Sequence, residues 1–269
     1  MTNRPQKNSG SANPYRKIST VKTITTNFWE GVTSAGVNAA WLAEGAVAAD
    51  ASPTVTQPVI TPAKAAAWVF GSYEVLGDSD FAQQFPALLV DAKDRLEEAA
   101  FTTGTGTNQP KGIVTAATTL VNTATVNTYA IADIYALQAA IPPRFRLASE
   151  SVGIVANVAV INKTRQFDTA GGSSYWTNLG LGQPETVLGI PLYESTTLNG
   201  VVATGNKIAV AGDFNQYAIV DRVGMTVMYE PMVKDSATAR PTGQAGWFAY
   251  WRVGADALVP GAFRTLNVQ

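Results

Sequence analysis

The sequence predicts a mixed α+β fold, and three stretches with different hydrophobic periods carry that prediction. Phe85, Leu88, Leu89, Ala92, Leu96 and Ala99 recur at intervals of three and four, the period of a long amphipathic helix. Val152 to Val160 (VGIVANVAV) is apolar and rich in β-branched residues, which predicts a buried strand. Trp247 to Val253 (WFAYWRV) alternates with period two, placing Trp247, Ala249, Trp251 and Val253 on one face and Phe248, Tyr250 and Arg252 on the other. Large side chains on both faces of one strand require cover on both sides.

Composition narrows the chemistry. The 269 residues include no cysteine and no histidine. Thiol nucleophiles, disulfides, Cys/His zinc sites and Ser-His-Asp arrangements are therefore excluded. An enzyme built from this chain would have to work with carboxylates, lysines, tyrosines or a bound metal. Hydrophobic residues make up 46% and charged residues 14%, against about 25% charged in an average soluble protein. So low a charge predicts that other subunits cover much of the surface. No apolar run reaches the roughly 18 residues of a membrane span, and Met1 to Thr20 lacks the apolar core of a secretory signal.

At the N-terminus, Arg4, Lys7, Arg16, Lys17 and Lys22 all precede the first acid, Glu30, in a segment rich in Asn, Ser and Pro. Two readings stay open: a solvated tail, or an arm that meets a neighbouring subunit or nucleic-acid phosphates. From Trp41 to Trp68 the chain has few large side chains. Glu44-Gly45 and Ala51-Ser52-Pro53 punctuate it as turns, and VTQPVIT (Val55 to Thr61) reads as a strand interrupted by proline. A two-stranded hairpin is marginal alone in water and needs a surface to lie on.

The long helix has candidate caps in Ser79 and Asp80, and Pro86 near its first turns. Its polar face pairs Asp91 with Arg95 and Lys93 with Glu97 at i,i+4. Asp94 and Glu98, one turn apart, could suggest a metal or acid-base pair, but the same charges read better as an ion-paired helix surface. The helix runs into FTTGTGTNQPKGIV (Phe101 to Val114). A phosphate-binding loop requires strand, glycines and Gly-Lys-Ser/Thr, then helix. Here the helix comes first and Pro110 precedes Lys111, so Gly104 and Gly106 are predicted as helix-stop and turn residues with positive φ.

Beyond the turn, Ile131 to Ile141 predicts a helix with Ile134, Leu137 and Ile141 on one face, stopped by Pro142-Pro143. Asn162 to Phe167 reads as the start of another helix, and Gly171 to Ser174 as a flexible loop. GIPLYES (Gly189 to Ser195) and IAVAGDFNQYAIVDR (Ile208 to Arg222) read as strands, with Gly212-Asp213-Phe214 a strand-ending turn.

The ordered segments WLAEGA, VITPAKAAAWVFGS, GTGTNQPKGI, GIPLYES, IAVAGDFNQYAIVDR and ALVPGAFRTL together resemble tailed-phage major capsid proteins of the Hong Kong 97 type. The resemblance covers nearly all of the chain after about residue 28. It implies an α+β capsid fold with an N-terminal arm (1–40), an extended β-hairpin loop (41–67), a peripheral domain with a long spine helix (68–112 and 219–269) and an axial domain (113–218). The implied function is self-assembly as pentamers and hexamers into an icosahedral head around double-stranded DNA. Assembly would take place in the bacterial host cytoplasm, with a portal, scaffold, protease and decoration protein as further partners. Trp41, Glu44, Val55, Val59 and Ile60 become subunit-interface candidates, and Arg4, Lys7, Arg16, Lys17 and Lys22 become DNA or neighbour contacts. No catalytic, cofactor or metal residue is expected, and no membrane. The resemblance further implies the matured form, or a member without a cleaved scaffold segment. An encapsulin-like compartment is the alternative; a carboxylate-dependent hydrolase is more distant. The family's namesake joins subunits by a lysine-asparagine isopeptide bond. Gly45 to Pro62 has no lysine and Glu230 to Arg240 no asparagine, so no such bond is expected here.

Overall fold

The computed structural model describes residues 13–34, 36–37, 39–47, 49–74, 81–147, 151–167, 186–222 and 224–269, with side chains of the long helix described from Pro86 onward. In chain order, helical turn α1 (Tyr15–Ile18) leads into strand β1 (Thr20–Ile24). Short strands β2 (Trp29–Glu30), β3 (Thr33–Ser34), β4 (Val55–Thr56) and β5 (Val59–Ile60) precede β6 (Ala63–Ser72) and the long helix α2 (Phe81–Thr103). Next come α3 (Ile113–Ala116), β7 (Thr119–Asn122), α4 (Ile131–Ala140), α5 (Pro143–Arg146), β8 (Val152–Ala156) and α6 (Val158–Gln166). The chain ends with β9 (Thr186–Val187), β10 (Ile190–Glu194), β11 (Lys207–Asp213), β12 (Tyr217–Arg222), β13 (Thr226–Glu230), β14 (Gln244–Ala257) and β15 (Phe263–Asn267).

Two sheets organise these elements. In the first, β14 is the central strand: β6 pairs along Gln244 to Val253, while β13 and β12 share its other edge, with β1 parallel to β12 outside. The second has the order β7-β15-β11-β8-β10-β9. One apolar cluster joins the two, running from Trp251, Val253 and Ile219 through Phe101 and Tyr217 to Phe214, Val210 and Phe263. A second fills the space between the six-stranded sheet and helices α4 and α6, with Ile134, Leu137 and Ile141 on the predicted inward face.

The structure departs from the sequence-based expectations at several places. The last strand, Phe263–Asn267, pairs with β11 and β7, so it lies with residues from 113–218 and apart from the other strands of 219–269. The strand expected over Val152 to Val160 stops at Ala156, because the Asn157 side chain accepts the Ala159 N–H at 3.0 Å and caps α6. The hairpin expected within Trp41 to Trp68 instead pairs β2 with β5 and β3 with β4, so its first strand lies before Trp41, within the segment read as the N-terminal arm. The proline interruption at Gln57-Pro58 does separate β4 from β5. Residues Ser79, Asp80 and Gly171 to Ser174 lie outside the described residues.

The largest difference concerns α2. Its C-terminal half buries Glu97, Glu98, Phe101 and Thr102, while Leu96 is 51% exposed. Both predicted ion pairs form, Asp91 to Arg95 at 3.2 Å and Lys93 to Glu97 at 3.3 Å, yet Glu97 is only 1% exposed. A buried carboxylate requires paired charges or hydrogen bonds, and these come from distant parts of the chain.

Candidate assembly surfaces

Segment 13–24 is docked on its own chain and is not a solvated tail. Tyr15 is completely buried, touching Phe101 and Phe214, and β1 extends the first sheet. Next to it, Arg16 donates to Glu97 at 2.7 Å and makes a two-pronged contact with Asp221 at 2.8 and 2.9 Å. Burial alone would lower the Arg16 pKa, but its hydrogen bonds to Asp221 and Glu97 outweigh it and the guanidinium is held more firmly charged than usual. Arg16 therefore leaves the set of DNA or neighbour contacts, because its donors are committed inside the subunit. Lys17 and Lys22 are exposed, while Arg4 and Lys7 lie outside the described residues.

Deeper in, Glu98 accepts hydrogen bonds from the Ser195 hydroxyl at 2.9 Å and the Thr196 N–H at 2.8 Å. This carboxylate ties the long helix to the turn after β10, a role no sequence spacing signals. Burial pushes the Tyr15 phenol up to about 12, although Thr102 donates to its oxygen at 3.0 Å. Burial likewise raises Tyr217 well above its ordinary value and Tyr129 to about 12. Neutral phenols are favoured in the folded state, so their contribution is complete below about pH 10 and declines as pH rises through the folded-state values. The urea midpoint is expected to fall between about pH 10 and 12, with a shallower fall in Tyr15→Phe. A flat midpoint over that interval would exclude this linkage.

The turn after α2 is held by backbone. Gly112 N–H donates to Gly104 C=O at 2.9 Å, Lys111 N–H to Ala255 C=O at 2.9 Å, and the Tyr217 hydroxyl to Lys111 C=O at 2.7 Å. Gly106 has positive φ as expected, whereas Gly104 does not: it is required by close approach, since a Cβ there would collide with the Pro110 and Ala100 carbonyl oxygens. Lys111 pairs with Asp256 at 3.2 Å. Among the described residues, no group of three or more carboxylates is placed to hold a metal.

Among the described residues, two groups of uncovered large apolar side chains bear on assembly. On the loop, Trp41 is 104% exposed, Val47 91%, Val55 56% and Val59 53%, and Glu44 is exposed as well. Ile60 differs: at 3% exposure it packs with Ala218 and Val220 and crosses Gly254, so it belongs to this subunit's core and leaves the interface candidates. The second group lies on one face of the first sheet, where Trp68 (44% exposed), Phe70 (51%) and Met228 (57%) flank half-buried Phe248 and Tyr250. The cover expected on both faces of β14 is thus incomplete within this subunit, where Phe248 and Tyr250 are half-buried. No described helix is long and apolar enough to cross a membrane.

Comparison with known proteins follows the same line. The fold is similar to the capsid of a native GTA particle computed with C5 symmetry, at 22% identity and a TM-score of 0.79, covering 99% of this chain and 95% of that one. It is also similar to the Mycobacterium phage Ogopogo structure (17% identity, TM-score 0.73, 97% and 93% covered). The holo encapsulin complex of Synechococcus elongatus is similar as well (12% identity, TM-score 0.74, 99% and 91% covered). Comparison with curated protein sequences finds no match. The sequence pattern of the phage capsid family matches residues 6–268, so a chain whose large apolar residues stand uncovered on a loop and a sheet face belongs to the phage capsid family, as a structural protein of the virion shell.

Proposed function

We propose that the chain is a major capsid protein of the Hong Kong 97 type, assembling in the host cytoplasm as pentamers and hexamers into an icosahedral head around double-stranded DNA. The observation that carries this reading is the loop between β3 and β4. Among the described residues, its Trp41 and Val47 stay almost wholly exposed in their own subunit, and burying apolar surface at about 25 cal/mol per Å² is the main drive for ordering it on a neighbour. The C5 symmetry of the similar GTA capsid supports fivefold vertices. In this arrangement the first sheet with α2 is the peripheral domain and the six-stranded sheet the axial one. Exposed Lys17 and Lys22, with Arg4 and Lys7, are the candidate contacts for phosphate or an acidic neighbour. Portal, scaffold, protease and decoration protein are the partners such a shell would meet.

The similarity to an encapsulin supports a second reading, a compartment enclosing protein cargo. Electron microscopy of purified particles separates the readings: closed shells containing DNA are expected, and shells filled with protein would favour the compartment. Denaturing electrophoresis of the same particles is expected to give one band near the 28.3 kDa monomer, because the distal loop has no lysine and Glu230 to Arg240 no asparagine. A ladder of subunit multiples surviving boiling would contradict it.

A further inference from the structure

The first sheet carries a row of cations across three neighbouring strands. Lys64 on β6 stands opposite Arg252 on β14. On the other side of β14, Arg222 follows Asp221, the residue opposite Val253, and continuing that register brings Arg222 beside Arg252. Alternation places all three side chains on one face, the open one that also carries Trp68, Phe248 and Tyr250. Like charges directly opposite one another destabilise a sheet. Nothing in the subunit relieves them: among the described residues, no carboxylate lies within ion-pair distance of Arg222, Arg252 or Lys64. Arg222 donates to the side-chain oxygen of Asn27 at 2.6 Å, and Lys64 lies over the Tyr250 ring at 5.8 Å. Asp221 belongs to the other face and is committed to Arg16.

The row borders a gap in the sheet. The ladder of β12 on β14 ends at Val253 and that of β13 at Tyr250, so this edge of β14 is left unpaired at 251 and 252. A cavity of about 220 Å³ opens there, with Arg222, Arg252, Thr226 and Tyr250 in its lining. Neither the Thr226 nor the Tyr250 hydroxyl has a hydrogen-bond partner among the described residues. We propose that this gap is a phosphate-binding site, for a group that comes from a nucleic-acid backbone or from the free ion. The two guanidiniums present planar forks of N–H donors that match phosphate oxygens, and the two hydroxyls add donors for a further oxygen. Lys64 raises the positive potential from the next strand. A protein carboxylate fits this set less well, because its single charge and two oxygens leave cations of the row unpaired. A phosphate group brings three or more acceptor oxygens and up to two charges. The site itself does not depend on the shell reading.

Thermal melts of the full chain at constant ionic strength test the site. Phosphate stabilises proteins in general by exclusion from their surfaces, so the quantity read is the difference between variants when chloride is exchanged for phosphate. At a phosphate concentration tenfold above its Kd, the wild type is expected to gain about 3–5 °C more than Arg252→Gln. Arg240→Gln, which removes an exposed arginine between β13 and β14, is expected to keep the full gain. In chloride, Arg252→Gln is expected to melt no lower than the wild type, since it removes a like-charge neighbour. A lower melt there would show that Arg252 serves the subunit itself and would count against the site. An equal gain in the wild type and Arg252→Gln would overturn the assignment. So would an equal gain from acetate in place of phosphate, an outcome that points to the carboxylate of a protein partner. A short DNA duplex separates the two sources. With a nucleic-acid phosphate in the gap, Arg252→Gln lowers the slope of log affinity against log salt by about one. With the free ion there, that slope is unchanged while inorganic phosphate still distinguishes the variants.

Discussion

Replacing Gly112 with alanine is expected to destabilise the subunit by about 3 kcal/mol or more, at the upper end of what overpacking costs, and to lower the melting temperature by roughly 6–12 °C. A Cβ at this position would lie 2.5 Å from the backbone nitrogens of Gly104 and Thr103 and 2.6 Å from the Thr102 carbonyl carbon. Those atoms belong to the end of α2 and cannot swing aside like the tip of a side chain. Relief requires residues 111–112 to move off the helix. That movement breaks the 2.9 Å bonds from Gly112 N–H to Gly104 and from Lys111 N–H to Ala255, and leaves the buried Tyr217 hydroxyl searching for a new acceptor. Gly106 provides the contrast. It is exposed, its φ is +83°, and a Cβ there would meet only the Lys111 side chain, at 3.1 Å, so alanine should cost about 1–2 kcal/mol, chiefly that of a left-handed non-glycine residue. Equal losses in thermal melts of Gly106→Ala and Gly112→Ala would refute the account of the close approach.

Local pattern explains why some elements could be read directly from the residues. The inward face of α4, the strand-ending turn at Asp213 and the two i,i+4 ion pairs on α2 depend on positions within a few residues of one another. Asp213, for instance, caps the following turn by accepting the Asn215 N–H at 3.1 Å. The apolar stripe assigned to α2 holds at Leu89 and fails toward the C-terminal end, for the complementary reason. Leu96 and Ala99 sit on the predicted stripe and yet are exposed, while the charged neighbours Glu97 and Glu98 are buried. Apart from Lys93, their partners Arg16, Ser195 and Thr196 lie far away in sequence, so no window along the helix contains the whole of the information. The loop candidates divide in the same way. The resemblance nominates Val59 and Ile60 together, but only the crossing of Gly254 decides that Ile60 is spent within the subunit. Arg16 was indistinguishable from Lys17 by composition, and tertiary contacts alone separate them.

That separation carries the second large effect. Arg16→Met is expected to cost about 3 kcal/mol, the lower end for removing one partner of a buried ion pair. The lower end applies because the Arg16 side chain is 23% exposed and Lys93 stays 3.3 Å from Glu97. Three losses combine: Glu97, 1% exposed, gives up its 2.7 Å donor; Asp221 gives up both of its contacts; and the Phe101 ring loses the cation 5.8 Å from its centre. Because Tyr15 and β1 flank this position, amide exchange should rise together in 15–24 and in the β12 residues paired with β1. Arg95→Ala breaks a pair whose arginine is 41% exposed, and should cost only about 0.3–0.5 kcal/mol. If the loss came from a missing charge on a surface arm, Arg16→Met would resemble Arg95→Ala and would soften with added salt. If it comes from an orphaned buried carboxylate, Arg16→Met/Glu97→Met should recover much of the stability, since apolar replacement of both partners removes the desolvation penalty along with the attraction. Chemical denaturation of the four proteins decides between these. A double variant no more stable than Arg16→Met would show that Glu97 is not the group that Arg16 protects.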